Sequence, residues 1–339
     1  MIERDTEIAD AETWFRAHGL PWFVDAEHER VHALLGRGRL TRITLLAAVP
    51  ALGLGITLGV LSGAPSSGFA LFATLTGALA LAWVARRLRA GPVLGWALRR
   101  IRAQLYLLVP LVTRALPLLL IFTVFFFINT EVWQVASSLP PGVLWLSVLM
   151  FAALAVLFLV ARLPEEVDRV VAEVEREQDG AALRRACQGT PVEDACDYLL
   201  ESLSSTQRES LGVPLTGLQR ANLVLVLLVV QAGQVLLLAA AVFTFFTVFG
   251  MVAIRPEIIQ SWVGELPRTV PWPGSPLSVE LLQVAVFLSG FSGLYFTVYA
   301  VTDSSYREQF FTQITTELEH AIGVRAVYRA LTSGPAASS

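Results

Sequence analysis

The stretch Leu223–Val252, LVLVLLVVQAGQVLLLAAAVFTFFTVFGMV, decides the fold. A helix on a soluble core breaks its apolar residues every few positions with polar ones for the face turned to water, and this stretch does not. A helix in lipid needs about 20 mostly apolar residues to cross about 30 Å of hydrocarbon. Five more blocks of this kind flank it, near Ile43–Ser62, Phe69–Val84, Ala115–Val135, Gly142–Ala161 and Val279–Val301. The composition agrees: of 339 residues, 55% are hydrophobic and only 16% charged, with a mean hydropathy of +0.61. The expected fold class is all-α, a polytopic membrane helical bundle of six transmembrane helices.

Orientation follows from the arginines, which make up all 25 basic residues. Arg86, Arg87, Arg89, Arg99, Arg100 and Arg102 crowd the segment between the second and third spans, whereas the opposite loops hold only Arg255 and Arg268. Positive loops stay in the cytoplasm, so both termini are expected inside. The net charge of -3 averages over this asymmetric layout and says little about partners. The organisation read from the sequence is a cytoplasmic segment over 1–42, without the pattern of a cleavable signal peptide, then a transmembrane hairpin over 43–84. A basic interfacial helix over 85–114 and a second hairpin over 115–161 follow. Beyond them come a cytoplasmic helical segment over 162–222, a third hairpin over 223–301 with an outer loop at 253–278, and a cytoplasmic C-terminal helix and tail over 302–339.

Three inner segments read as amphipathic helices that pack into a cytoplasmic layer. Val93–Val112 carries Trp96 among its arginines and suits the headgroup region. A second helix is expected to begin at Pro164, with Glu165 and Glu166 in its first turn and Val167, Val170, Val171 and Val174 on one face. A third follows Asp303, Ser304 and Ser305, whose side chains cap a helix bearing Phe310, Phe311, Ile314 and Leu318. Cys187 and Cys196, nine residues apart with no second pair, fit neither a disulfide framework nor zinc spacing and read as reduced thiols. Residues Ile121 to Phe127, IFTVFFF, and Val242 to Val248, VFTFFTV, both approach an outer loop holding tryptophan. A duplicated hairpin and the ordinary frequency of phenylalanine in membranes both account for that likeness.

Polar residues within or beside the spans are the candidates for a pathway. Arg114 and Glu131 are 17 residues apart, about 26 Å along a helix, which is less than the hydrocarbon thickness. Either Arg114 snorkels inward and Glu131 sits with Asn129, Thr130 and Gln134 near the outer end of the third span, or that span stops by Phe127 and Glu131 is solvated. Gln231 and Gln234, three apart in the fifth span, face one neighbour or one aqueous cavity. Ser289, Ser292 and Tyr299 of the sixth span are candidate partners for them, with Gly290 and Gly293 on an adjacent side as packing residues. Ala47, Ala51, Gly55, Gly59 and Gly63 repeat every four residues in the first span, a face that lets another helix approach closely. The outer segment Pro256–Pro276, with Glu257, Trp262, Glu265 and Trp272, reads as a short interfacial helix and a rigid loop.

One motif carries enzyme chemistry: His28-Glu29-Arg30-Val31-His32 has the H-E-x-x-H spacing that sets two imidazoles on one helical face for zinc, with a glutamate as general base. It resembles the zincin metallopeptidase signature over these five residues, with Arg30 where those families hold an uncharged residue. A polar helix whose His and Glu face water explains the same residues, and zinc is the only cofactor that the sequence raises. Phosphate-loop, dinucleotide and nucleophile-elbow motifs are all missing, so a nucleotide-driven enzyme is not expected. The arginines lie beside membrane helices and point to lipid rather than nucleic acid.

The stretch Phe125-Phe-Phe-Ile-Asn-Thr-Glu-Val-Trp-Gln-Val-Ala136, together with the all-arginine composition and the six-span layout, resembles uncharacterised multi-pass integral membrane proteins of actinobacteria. That resemblance implies a bacterial plasma-membrane location and carries no catalytic residue across. Three functions remain open on the sequence. One is a channel or small-solute transporter with Glu131, Asn129, Gln134, Gln231 and Gln234 along its pathway. Another is a non-catalytic scaffold or regulator that binds a cytoplasmic protein partner or a second copy of itself. The last is a zinc metallopeptidase using His28 and His32.

Overall fold

The computed structural model describes residues 2–27, 121, 123–176, 180–202, 215–270, 277–302 and 304–333, with isolated positions between 53 and 99. Three helices in it are long and apolar enough to cross a membrane: α3 (Pro141–Arg176), α6 (Gly217–Ala253) and α8 (Val279–Thr302). They contain the fourth, fifth and sixth expected spans. Apart from isolated positions, the first two spans lie outside the described residues, as do His28, Glu29, His32, Gly55, Gly59 and Gly63.

The start of α6 follows from local chemistry. Thr216 and Gln219 form a capping box, the Thr216 hydroxyl accepting from the Gln219 N–H at 3.4 Å and the Gln219 carbonyl oxygen accepting from the Thr216 N–H at 3.2 Å. After Ala253 the chain turns at Ile254 and Arg255, and Pro256 opens the short helix α7 (Pro256–Val263). Gly264, at φ 87, ends it.

Helix α8 is central, with 56% of its most apolar stretch buried against 39% for α6 and 17% for α3. Close packing holds it there. A Cβ on Gly250 of α6 would fall 2.3 Å from Leu281, while Gly293 of α8 lies against Val235 and Ala239, so α6 and α8 are antiparallel. Gly290 faces Val148 and Phe151 of α3, while Gln283 Nε2, two turns earlier in α8, donates to Leu139 O just before α3 at 3.1 Å, so α3 runs parallel to α8. The remaining faces of α3 expose Trp145, Met150, Leu154 and Leu157, which suits contact with lipid.

The structure decides one open point of the sequence reading and corrects another. Of the two alternatives for the third span, the chain takes the one that stops by Phe127: it turns at Ile128, and Asn129 starts a new helix, α2 (Thr130–Ser138). The Asn129 carboxamide oxygen accepts from the N–H groups of Glu131 and Val132 at 2.8 and 3.2 Å, a stable cap that favours the break. Helix α3 was expected to stop before Pro164, but it continues through to Arg176 with Pro164 inside. Proline in a helix interior costs about 3 kcal/mol. Leu159, Leu163 and Val167, spaced by four across the proline, are all buried on one face, and burying such side chains is worth about 1.5–3 kcal/mol each.

The two ends of the bundle differ. At one end, called the capped end, α2 and α7 meet through Trp133 and Trp262, whose rings are 5.4 Å apart. Trp133 donates from Nε1 to the Phe127 carbonyl at 2.6 Å, and Phe127 stacks on Phe246 at 4.5 Å. Each half of the bundle thus leads from a phenylalanine-rich segment into a short tryptophan-bearing helix and back through a long apolar one.

The other end carries a helical layer. It comprises α1 (Ile2–Ala17), a 3-10 turn at Pro21–Phe23, the far part of α3, α4 (Ala181–Cys187), α5 (Glu193–Ser202) and α9 (Ser304–Ser333). Phe15, Phe23, Cys187, Cys196, Leu318, Val324 and Tyr328 are buried in its core. Gly323 is needed here, because a Cβ at that position would fall 2.9 Å from the backbone of Ala186.

Candidate functional site

Glu131, Asn129 and Gln134 gather at the capped end and outside the long helices. Asn129 is occupied as the cap of α2, and Glu131 lies exposed in its first turn, where the helix dipole favours a carboxylate. Gln134 is exposed and donates from Nε2 to the Trp262 carbonyl at 3.1 Å, tying α2 to α7. Arg268 closes the same end, donating from its backbone N–H at 3.0 Å and from Nε at 2.9 Å to the buried carboxylate of Glu280. A β-bridge, Thr269 to Ser278, joins the two ends of that loop.

Gln231 and Gln234 sit inside the bundle. Gln231 is eight residues into the run Leu223–Val252, about 12 Å along the helix from its start. It is 0% exposed, and among the described residues neither Oε1 nor Nε2 has a hydrogen-bond partner. Gln234, on the same side of α6, is half-buried with its Oε1 also unpartnered among the described residues. Two hydroxyls of α8 turn away from them: Ser289 donates to Val286 O at 2.9 Å and Thr297 to Gly293 O at 2.8 Å, each back into its own helix. Ser292 is fully buried with its Oγ unpartnered among the described residues. It stands opposite the Val235–Ala239 turn that Gly293 touches, beyond reach of Gln231. The seam therefore holds several neutral hydrogen-bonding groups that do not satisfy one another.

Asn222, which the sequence reading did not single out, bonds the helical layer to the foot of α6. Its Oδ1 accepts from Trp22 N and its Nδ2 donates to Gly19 O, both at 3.0 Å. Asparagine just before an apolar run was the only sign of it in the sequence. Arg220 and Asp168 form an ion pair between the foot of α6 and the extension of α3.

Both cysteines are free and buried. Hydrogen bonding with Cys196 and burial hold the Cys187 thiol well above its usual range, and the same hydrogen bond draws Cys196 down. Cys187, kept from solvent and protonated, makes a poor nucleophile. Burial and the nearby carboxylates of Asp25 and Glu12 push the Tyr328 phenol up to about 12. Among the described residues no three His, Cys, Asp or Glu side chains group as metal ligands.

These features define a helical membrane protein with apolar spans, neutral polar groups inside the bundle and a folded helical layer at one end. No family model, curated protein or solved structure matches the chain.

Proposed function

We propose that the protein is a multi-pass permeation protein, a channel or small-solute transporter, of a bacterial plasma membrane. Its pathway follows α6 and α8 past Gln231 and Gln234. The observation that carries this reading is Gln231, a fully buried amide with no partner among the described residues, within an apolar helix. Burying an amide without a compensating bond costs about 1–3 kcal/mol on mutational scales. A bundle that had only to pack would be more stable with an aliphatic side chain there. An amide that meets a passing solute has a physical reason to stay unpaired in the closed bundle.

The six-span arrangement with both termini in the cytoplasm is part of the proposal. It puts the helical layer inside and the tryptophan-bearing capped end outside, as the arginine distribution supports. Glu131, exposed at the capped end, then belongs to the mouth rather than the interior. The scaffold reading also has a specific support, since the helical layer is folded, its buried side chains continuous with the core of the long helices.

Solute and ion flux into proteoliposomes tests the proposal. Wild-type protein is expected to carry flux, Gln231→Leu to lose it, and Glu131→Gln to keep it. A correctly folded wild type that carries nothing across a broad panel moves the assignment to the scaffold.

A further inference from the structure

We infer that the buried site at Gln231 and Gln234 takes a small neutral ligand that both donates and accepts hydrogen bonds, of the size of water to urea, and not an ion. This rests on the permeation reading and narrows the substrate class of the same site.

The argument begins with what surrounds the amides. Residues 43–84, 115–130, 142–161, 223–252 and 281–301 contain no Asp, Glu, Lys, Arg or His. Of the acidic residues flanking the spans, Glu131 is exposed on α2, Glu280 is bound by Arg268 at the capped end, and Asp303 lies outside the described residues. Among the described residues no charged side chain bonds the Gln231 amide, and an ion held away from water without a counter-charge is costly. A hard cation would also need several oxygens to replace its water, and among the described residues the two glutamines offer two amide oxygens. An anion needs a guanidinium, an ammonium or the start of a helix, whereas Gln231 lies in mid-helix.

What the site does offer matches a different chemistry. A glutamine amide has two N–H donors and an oxygen with two acceptor positions, so the Gln231 side chain is complemented by a group holding both functions. Water, simple amides and small polyols have them. Size is limited too, because one turn along the seam Gly293 already rests on Val235 and Ala239. With Gln231 wholly buried, the bundle is closed at this level, and α6 and α8 must part for a ligand to pass.

The test is stopped-flow light scattering on proteoliposomes of the full-length protein under water, urea and glycerol gradients. Sodium, potassium, chloride and proton fluxes are measured in parallel on the same vesicles. Neutral permeability is expected to be several-fold above protein-free vesicles, to fall to background in Gln231→Leu and to drop in Gln234→Leu, with ion flux at background throughout. Ion flux abolished by Gln231→Leu overturns the neutral class and leaves the permeation reading standing. Neutral flux untouched by both variants overturns the placement of the site, again without harm to permeation. Absence of flux for every solute and ion, with the fold verified by thermal melting, overturns permeation and this inference with it. Gln231→Leu is expected to melt no lower than wild type, and Gln234→Leu provides an independent variant.

Discussion

Asn222 is the residue whose replacement tells most about how the layer is held. Asn222→Ala leaves the Trp22 N–H and the Gly19 carbonyl without their partners, at about 1–3 kcal/mol for each buried group. Limited proteolysis of the variant is expected to cut near residues 18–24 much faster than in wild type. Tyr328 gives a pH signature. Its folded value of about 12 lies above the ordinary 10.0, so the stability it contributes is intact below pH 10 and is lost as the pH rises through about 12. A phenolate absorbance titration is expected to show one late step, absent from Tyr328→Phe. The residue scale is also where the sequence was least legible. Gln231 and Gln234 stood out as amides in an apolar run, but α6 is apolar on every side, so no periodicity said which of its faces meets protein. Burial and unmet hydrogen bonding emerged only once α8 was in place.

At the scale of single elements, Pro164 separates two readings of the same segment. In a helix that passes through it, Pro164→Ala restores an N–H to the Val160 carbonyl and removes a steric clash, a gain approaching about 3 kcal/mol. Had a helix begun at Pro164, the same change would gain nothing. A rise in the melting temperature of Pro164→Ala is the expected result. The sequence reading stopped at the proline because local propensity was the only guide, and the buried stripe of Leu159, Leu163 and Val167 is a tertiary fact. The break at Asn129 was legible as one of two alternatives. Asn129-Thr130-Glu131 is a serviceable helix start set in a phenylalanine-rich run, and the sequence left open both a continuous span and a stop by Phe127. By contrast, the sixth span was legible to within a residue of α8, and the fifth fell inside α6 with its outer end one residue short. Only a long helix buries so many consecutive apolar residues while bonding its own backbone.

For the whole molecule, the orientation proposed from the arginines has a direct check. Ser261 of α7 and Tyr198 of α5 are both exposed, at opposite ends of the bundle. In intact cells, a membrane-impermeant maleimide is expected to label Ser261→Cys at once and Tyr198→Cys only after permeabilisation. The native Cys187 and Cys196 give little background, being buried in the helical layer. The reverse labelling pattern would turn the molecule over in the membrane, and the helical layer would then face outward.

The contact between Asn222 and the turn at Trp22 spans 200 residues of chain. A ribosome adding about 5–20 residues each second needs about 10 to 40 s to travel that far. For all of that time Phe15, Trp22 and Phe23 have emerged, while the foot of α6 on which the turn will settle is still unmade. Helix α1 is therefore among the last elements to find its seat, and until then its aromatic side is surface for a chaperone to cover.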